Sequence, residues 1–327
     1  MEFRKIIFDL KSEHDFDQAA QEVFGFQYER NKIYRKYADA IGRRPEKVNH
    51  YSHIPFLPVS FFRSHSVIRD DVRPEKIFLS SGTTGMERNR HAVADLSVYR
   101  ESLRKGFSRF YGSIREYDIF ALTPNATQNP DSSLIFMISD WIAESGSEVS
   151  GFYLDRQKEL AELLMKHKTP VRKQLLIGLS YALLDFSERF PLPLPEAIIM
   201  ETGGMKGREK EMVREKMHAL LSERFHCRFI HSEYGMTELL SQAYSKGEGR
   251  FETPPWMKIL IRDPNDPLEL LPVGKTGGIN IIDMANFNSC SFIAVQDLGK
   301  INDDDTFEVL GRFDFGDLRG CSLMIGA

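Results

Sequence analysis

The chain has 327 residues, 42% hydrophobic and 28% charged, which supplies the material for a large core and sets it apart from disordered sequences. A net charge of -4 excludes a general attraction to nucleic acid or anionic membranes and leaves small ligands as the expected partners. No stretch reaches the roughly 18 uncharged apolar residues of a membrane span. Cys227, Cys290 and Cys321 are odd in number and lack metal-type spacing, so a reducing cytoplasm is expected rather than a disulfide framework or zinc site.

In chain order, residues 1–70 read as helical and then Pro-punctuated, with "IPFLPVSFFRSH" expected to run extended over the core surface. The opening "MEFRKIIFDLKSEHD" carries acidic residues in an apolar stretch too short for a secretory signal. Residues 71–245 alternate apolar runs with amphipathic helical patterns. "KIFLS", "YDIFALT", "EVSGFYL", "KQLLIG" and "EAIIMET" read as strands; the regions Leu96 to Tyr111, "SSLIFMISDWIAE", Asp155 to His167 and Tyr181 to Phe190 read as helices. This is the pattern of repeated βα units around a largely parallel sheet. From 246 to 313 the pattern changes to short strands, "WMKILIRD", "GGINIIDM", "CSFIAVQD" and "FEVLGRF", punctuated by Pro, Gly, Asn and Asp. They suggest a small, mostly antiparallel β subdomain packed against the α/β core. Residues 314–327 form a short tail. The fold class expected is therefore α/β, one large domain with a β-rich subdomain.

Four stretches carry the chemistry. "FLSSGTTGMERNRH" gathers Ser80, Ser81, Gly82, Thr83, Thr84 and Gly85 directly behind a strand, and it is read as lying before a helix, where open parallel sheets place their ligand crevices. Glycines let a backbone approach a bound group, while free N–H groups and hydroxyls surround phosphate oxygens. The wording is neither the Gly-Lys-Ser/Thr phosphate loop nor the spaced-glycine dinucleotide turn. "IIMETGGMKGREK" puts Gly203 and Gly204 after a second strand, and "FIHSEYGMTELL" puts Tyr234, Thr237 and Glu238 after a third. "VQDLGKI" and "VLGRFDFGDLRG" then offer Asp297, Arg312 and Asp314. Taken singly these have ordinary readings: a flexible turn for the first, a solvated helix start for Glu238, and a turn residue for Asp297, since Asp before Leu-Gly is common in hairpins. Taken in order they supply a phosphate loop, a flat platform, a metal carboxylate, a diol acceptor and a basic clamp.

That order resembles the adenylate-forming superfamily, in which "SSGTTG" is similar to the phosphate loop, "EYGMTE" to the Tyr-Gly-x-Thr-Glu segment, "QDLG" to the ribose-binding Asp segment and "GRFD" to the Gly-Arg-x-Asp hinge. The wider wording from "METGGMKGREK" to "LGRFDFGDLRGCSL" resembles the acyl-protein synthetase family, the synthetase component of the fatty-acid reductase of bacterial bioluminescence. The resemblance implies that Ser80 to Gly85 hold the ATP phosphates, that Gly203, Gly204 and Tyr234 border the adenine, that Thr237 touches the α-phosphate and that Glu238 holds Mg²⁺. It places Asp297 on the ribose hydroxyls with Arg312 beside them. The implied activity is that of an acid–thiol ligase that forms an acyl-adenylate from a carboxylic, by family default fatty, acid and passes the acyl group to a protein acceptor, a reductase or a carrier protein. Both cofactors, ATP and Mg²⁺, follow from the same resemblance.

Two departures bear on this. The superfamily's loop commonly continues to a Lys, whereas here it continues "MERNRH", with Arg88 or Arg90 as the candidate substitutes. Only 13 residues follow Asp314, so the expectation is that the mobile C-terminal domain of most relatives is absent. The family's acyl-accepting Cys near the C-terminus corresponds to Cys321, beside Arg319; a thiolate is a strong nucleophile toward an activated anhydride. Cys227 and Cys290 sit in apolar strand patterns and are expected to be buried. The alternatives are a truncated acyl-CoA synthetase-like ligase, a hydrolase or acyltransferase centred on Ser180 in "GLSYA" with His226 or His231 as partner, and a non-catalytic nucleotide-binding relative. The acyl pocket is expected along "LTPNATQNPDSSLIFM" and "LLIGLSYALL".

Overall fold

The computed structural model describes residues 2–81, 87–166, 171–203 and 213–313. The polypeptide begins with α1 (Glu2–Phe8), α2 (Glu13–Arg30) and α3 (Lys32–Ala40). Ser12 and Asp15 start α2 with reciprocal side-chain to backbone hydrogen bonds that satisfy donors the first turn would leave unpaired. Asn31 ends α2 and caps α3, accepting from the N–H groups of Ile33 and Tyr34. Next come β1 (Leu57–Pro58) and α4 (Phe61–Ser64). The expected surface course of this stretch is overturned: Leu57 and Phe62 are both 0% exposed, and β1 pairs in parallel with a strand near the C-terminus. Its apolar residues have a partner, and burial is the stronger term.

β2 (Lys76–Leu79) and β3 (Arg90–Val93) form an antiparallel pair of their own, with Leu79 opposite Arg90. The expected order of strand, loop and helix is thus corrected to strand, loop, strand: β3 intervenes before α5 (Leu96–Tyr111), whose start Asp95 caps. The alternation then proceeds as the periodicity predicts, through β4 (Tyr117–Leu122), α6 (Ser133–Ser145), β5 (Gly151–Phe152), α7 (Gln157–Lys166), β6 (Lys173–Leu179), α8 (Ser180–Arg189), β7 (Ile198–Thr202), α9 (Arg214–Phe225) and β8 (His231–Tyr234). Strands β5, β4, β6, β7 and β8 lie side by side and parallel.

The remaining strands are β9 (Ala243–Ser245), β10 (Phe251–Glu252), β11 (Met257–Arg262), β12 (Gly277–Asp283), β13 (Phe292–Ile301) and β14 (Phe307–Arg312). β11 to β14 run antiparallel, each to the next, as their short lengths and the turn residues between them predict. They join the parallel strands edge to edge through β9 and β10, so 12 of the described strands share one hydrogen-bonded sheet. The N-terminal helices cover this antiparallel part. Gln27 of α2 donates to the carbonyls of Asn286 and Phe287 and accepts from the N–H of Ser291, and Asn31 donates to the carbonyl of Ser289. No helix among the described residues is long and apolar enough to cross a membrane.

Candidate active site

Parallel strands end in loops on one side of the sheet, and the candidate residues gather there. Thr202 at the end of β7 stands opposite Glu233 of β8, so Gly203 and Tyr234 follow as neighbours on adjacent strands. Gly203 has φ 61°, in the left-handed region that glycine enters without a Cβ penalty. Gly204 lies outside the described residues. From the antiparallel side, Asp297 on β13 stands opposite Arg312 on β14. The Tyr234 hydroxyl donates to Asp297 Oδ2 at 2.8 Å, and Arg312 Nε donates to Asp297 Oδ1 at 3.1 Å. Three separate motifs of the sequence thus meet in one cluster. Asp297 is inside a strand, not in the turn that its Leu-Gly neighbours suggest. Burial, with the adjacent Asp297 carboxylate, holds the Tyr234 phenol well above its usual range, so it remains a hydrogen-bond donor.

Three residues beyond Tyr234 begins the second cluster. Gly235 has a packing reason to be glycine: a Cβ there would lie 2.4 Å from Glu233 Oε1. Glu238 is 2% exposed, so the solvated reading of this carboxylate fails. Asn89 Nδ2 donates to Glu238 Oε1. At the base of the expected phosphate loop, the Ser80 N–H donates to the Asn89 carbonyl at 3.0 Å and the Asn89 N–H donates to Ser80 Oγ at 3.0 Å. Ser81 follows and is exposed; Gly82, Thr83, Thr84 and Gly85 lie outside the described residues.

His91, two residues along β3 from Asn89, is 0% exposed and links the same pieces. Its Nδ1 donates to the Thr237 carbonyl at 2.7 Å, and its Nε2 lies 3.0 Å from Asn286 Oδ1. Asn286 in turn donates from Nδ2 to the Glu238 carbonyl at 2.8 Å. Burial pulls the His91 pKa down to about 4, against the opposing effect of these contacts. Behind them Asp283, at the end of β12, accepts from the N–H groups of Leu240 and Ser241 and from the Ser241 hydroxyl, and burial pushes its carboxyl up to about 6. Asn89, His91, Asn286 and Asp283 were not picked out in the sequence. Asn89 and His91 close the quoted loop stretch and Asp283 sits in a strand run, but what each holds lies far along the chain, so the sequence gives them no role.

Asn89 and His91 turn toward the Thr237–Glu238 segment, whereas Arg88 and Arg90 line a hollow beside β2 with Arg63 and Lys76. Ser180 begins α8, is 1% exposed and donates to Glu201 Oε2 at 3.1 Å. Its partner is a carboxylate, while His231 on β8 meets the Tyr111 hydroxyl at the end of α5, so the described residues give no Ser–His pair. Cys227 and Cys290 are buried as expected. Burial raises both thiols, that of Cys290 to about 12. Cys321, Arg319 and Asp314 lie outside the described residues.

No cluster of three or more His, Cys, Asp or Glu side chains among the described residues could by itself hold a metal ion. The donor set nevertheless fits Mg²⁺, which is commonly held by one or two carboxylates and completed by substrate phosphates and water. Glu238 would be that carboxylate.

Comparison with solved structures identifies the architecture. The ATP-bound MatB from Rhodopseudomonas palustris superposes with a TM-score of 0.53 at 15% identity, over 72% of this chain. 2-Hydroxyisobutyryl-CoA ligase, in complex with 2-HIB-AMP and CoA, superposes with a TM-score of 0.65 at 14% identity, over 93% of this chain and 69% of that one. This is the adenylate-forming fold. The chain spans 47% of MatB, about half its length. A curated protein, the long-chain-fatty-acid–luciferin-component ligase of Aliivibrio fischeri, is 24% identical over 335 residues, covering 94% of this chain and 86% of that protein. No family model matches. The solved structures bear out the adenylate-forming fold that the motifs imply, and the curated match bears out the resemblance to the synthetase of bacterial bioluminescence.

Proposed function

We propose that this protein is an ATP-dependent ligase that converts a carboxylic acid, by the match to the Aliivibrio ligase a long-chain fatty acid, to an acyl-adenylate. The observation that carries the reading is the adjacency of two unlike clusters on one strand end. Tyr234, Asp297 and Arg312 suit a nucleoside, Ser80 and Glu238 suit its phosphates and cation, and Thr237 lies between. Gly203 would border the adenine, and Asp297 would accept from the ribose hydroxyls. The acid's carboxylate oxygen attacks the α-phosphorus, the bond to the bridging oxygen breaks, and pyrophosphate leaves. A cation beside Glu238 would offset the charge developing on the phosphate oxygens. In support of an acyl pocket there, β4 and β6 are adjacent, with Leu122 opposite Gly178 and Leu179 opposite Thr202 of β7, so the first stretch starts beside the second, one strand from the end of β7.

The second half-reaction in this reading is attack by the Cys321 thiolate on the acyl carbon, which forms a thioester and expels AMP, before transfer to a protein partner. Its support is the motif wording around Cys321 and the burial of the other two thiols. The decisive experiment is pyrophosphate release on mixing the protein with ATP, Mg²⁺ and a panel of carboxylic acids of graded chain length. Release with at least one acid is expected, and none with any acid sinks the reading. Cys321→Ser separates the halves: pyrophosphate release should persist while the hydroxylamine-sensitive protein-bound acyl group disappears. An acyl group found on Cys227 or Cys290, or efficient acylation of CoA with no acyl-protein, removes the self-acylation step.

A further inference from the structure

Asn89 has one amide atom that the fold uses and one that it does not. Its backbone is fixed by the two hydrogen bonds with Ser80, and its Nδ2 donates to Glu238 Oε1. The reverse orientation of the amide would set two oxygens against each other, so the carboxylate determines which end faces it. Oδ1 is then left buried, with no hydrogen-bond partner among the described residues. A buried acceptor without a partner costs about 1–3 kcal/mol, and an ion or water that satisfies it is one of the explanations such an atom calls for. The amide that carries this oxygen touches the carboxylate of Glu238, at the meeting point of β3 and the segment after β8. Hard divalent cations take neutral carbonyl oxygens together with carboxylates, and here the carbonyl oxygen belongs to the amide whose other end holds the carboxylate.

We propose that Asn89 Oδ1 is a second protein ligand, with Glu238, for the divalent cation that accompanies the nucleotide. The inference rests on the nucleotide-site reading given above and adds a residue that the motif resemblance does not assign. Asn89 thereby has two roles: its Nδ2 orients the Glu238 carboxylate, and its Oδ1 meets the cation. Ser80 supports both by fixing the Asn89 backbone.

The test is cation binding, independent of turnover. Mn²⁺ is titrated against the full-length protein saturated with an ATP analogue that cannot be cleaved between the α- and β-phosphorus, and free Mn²⁺ is read by electron paramagnetic resonance. Nucleotide affinity is measured separately in EDTA. Asn89→Ala should weaken Mn²⁺ at least about tenfold while metal-free nucleotide affinity stays within about twofold. Asn89→Asp, which keeps an oxygen but sets a second negative charge against Glu238, should bind Mn²⁺ and show a larger Mn²⁺-induced rise in unfolding temperature than the wild type. Unchanged Mn²⁺ affinity in Asn89→Ala, together with a loss in Glu238→Gln, overturns the role of Asn89 alone. Loss of metal-free nucleotide affinity in Asn89→Ala makes Oδ1 an acceptor for the nucleotide-binding backbone and also overturns it. If the wild type binds neither analogue nor Mn²⁺, the nucleotide-site reading fails with it.

Discussion

The two ends of the candidate site are built differently. Tyr234, Asp297 and Arg312 stand on β8, β13 and β14 of one sheet, so main-chain ladders set their spacing and the side chains only have to reach. Ser80, Asn89, Thr237 and Glu238 come from a separate two-stranded sheet and a loop, and they are held together by buried polar side chains. A ladder tolerates the loss of one side chain because its neighbours keep the register. A buried polar network does not, since each deletion leaves a partner unsatisfied. The phosphate end should therefore be the more fragile of the two, both to substitution and to pH.

The largest effect expected is that of Glu238→Gln, which removes the charge from the phosphate end without changing its shape. ATP–pyrophosphate exchange should fall by about a hundredfold or more, while the unfolding temperature stays near that of the wild type. Normal exchange would take Glu238 out of the cation role. At the other end, Asp297→Asn should weaken nucleotide binding by roughly ten- to a hundredfold, the scale of one or two hydrogen bonds to a charged group. An equal loss of affinity for the carboxylic acid would instead mean a damaged fold.

His91→Ala tests the contrast in stability. It strips a buried donor from the Thr237 carbonyl, so urea denaturation should show a loss of about 1–3 kcal/mol for that acceptor alone, beyond any packing loss. Tyr234→Phe, which removes one hydroxyl at the ladder-built end, should cost less. If Tyr234→Phe proved the more destabilising of the two, the contrast between the two ends would collapse.

A smaller effect concerns pH. Burial, aided by Glu201, pushes the Glu233 carboxyl up to about 7 from an ordinary 4.5, against the hydrogen bond that Thr202 donates to it. A carboxyl whose pKa is raised in the folded state holds its proton more tightly there than in the unfolded chain. Its contribution to stability is complete below about pH 4.5 and is lost as pH rises through about 7. Glu233→Gln should flatten that part of the Tm-against-pH curve, and an unchanged slope would contradict the assignment. Smallest of all is Ser180→Ala, expected to leave adenylation almost intact; loss of activity without loss of stability would bring back the Ser-nucleophile reading.

The contrast also explains what the sequence made legible. The ladder-built end is readable because strands β11 to β14 are short apolar runs set off by Pro, Gly, Asn and Asp, and because Tyr234, Asp297 and Arg312 each sit in a recognisable wording. β3 was missed because "RHAV" is four residues long and begins with a charge, so it carries no period. The continuity of the sheet was missed for the same reason, since β9 and β10, the strands that join its halves, have three and two residues. Asn89 and Asn286 are unremarkable in sequence, and their meaning lies in partners that only the folded chain brings near. Glu238 is 149 positions from Asn89.

The parallel pairing of β1 with β13, Leu57 opposite Ile293, also has a consequence for how the protein comes into being. Synthesis runs from the N-terminus, and Leu57 has left the ribosome long before its partner strand exists. Until residues 292–301 emerge, the apolar side chains of 54–62 and the α2 surface around Gln27 lack the surfaces they pack on. Contacts of such sequence separation form late and slowly. The nascent chain therefore exposes an N-terminal apolar surface for most of its synthesis, and that surface is where a chaperone or a competing aggregation contact would act first.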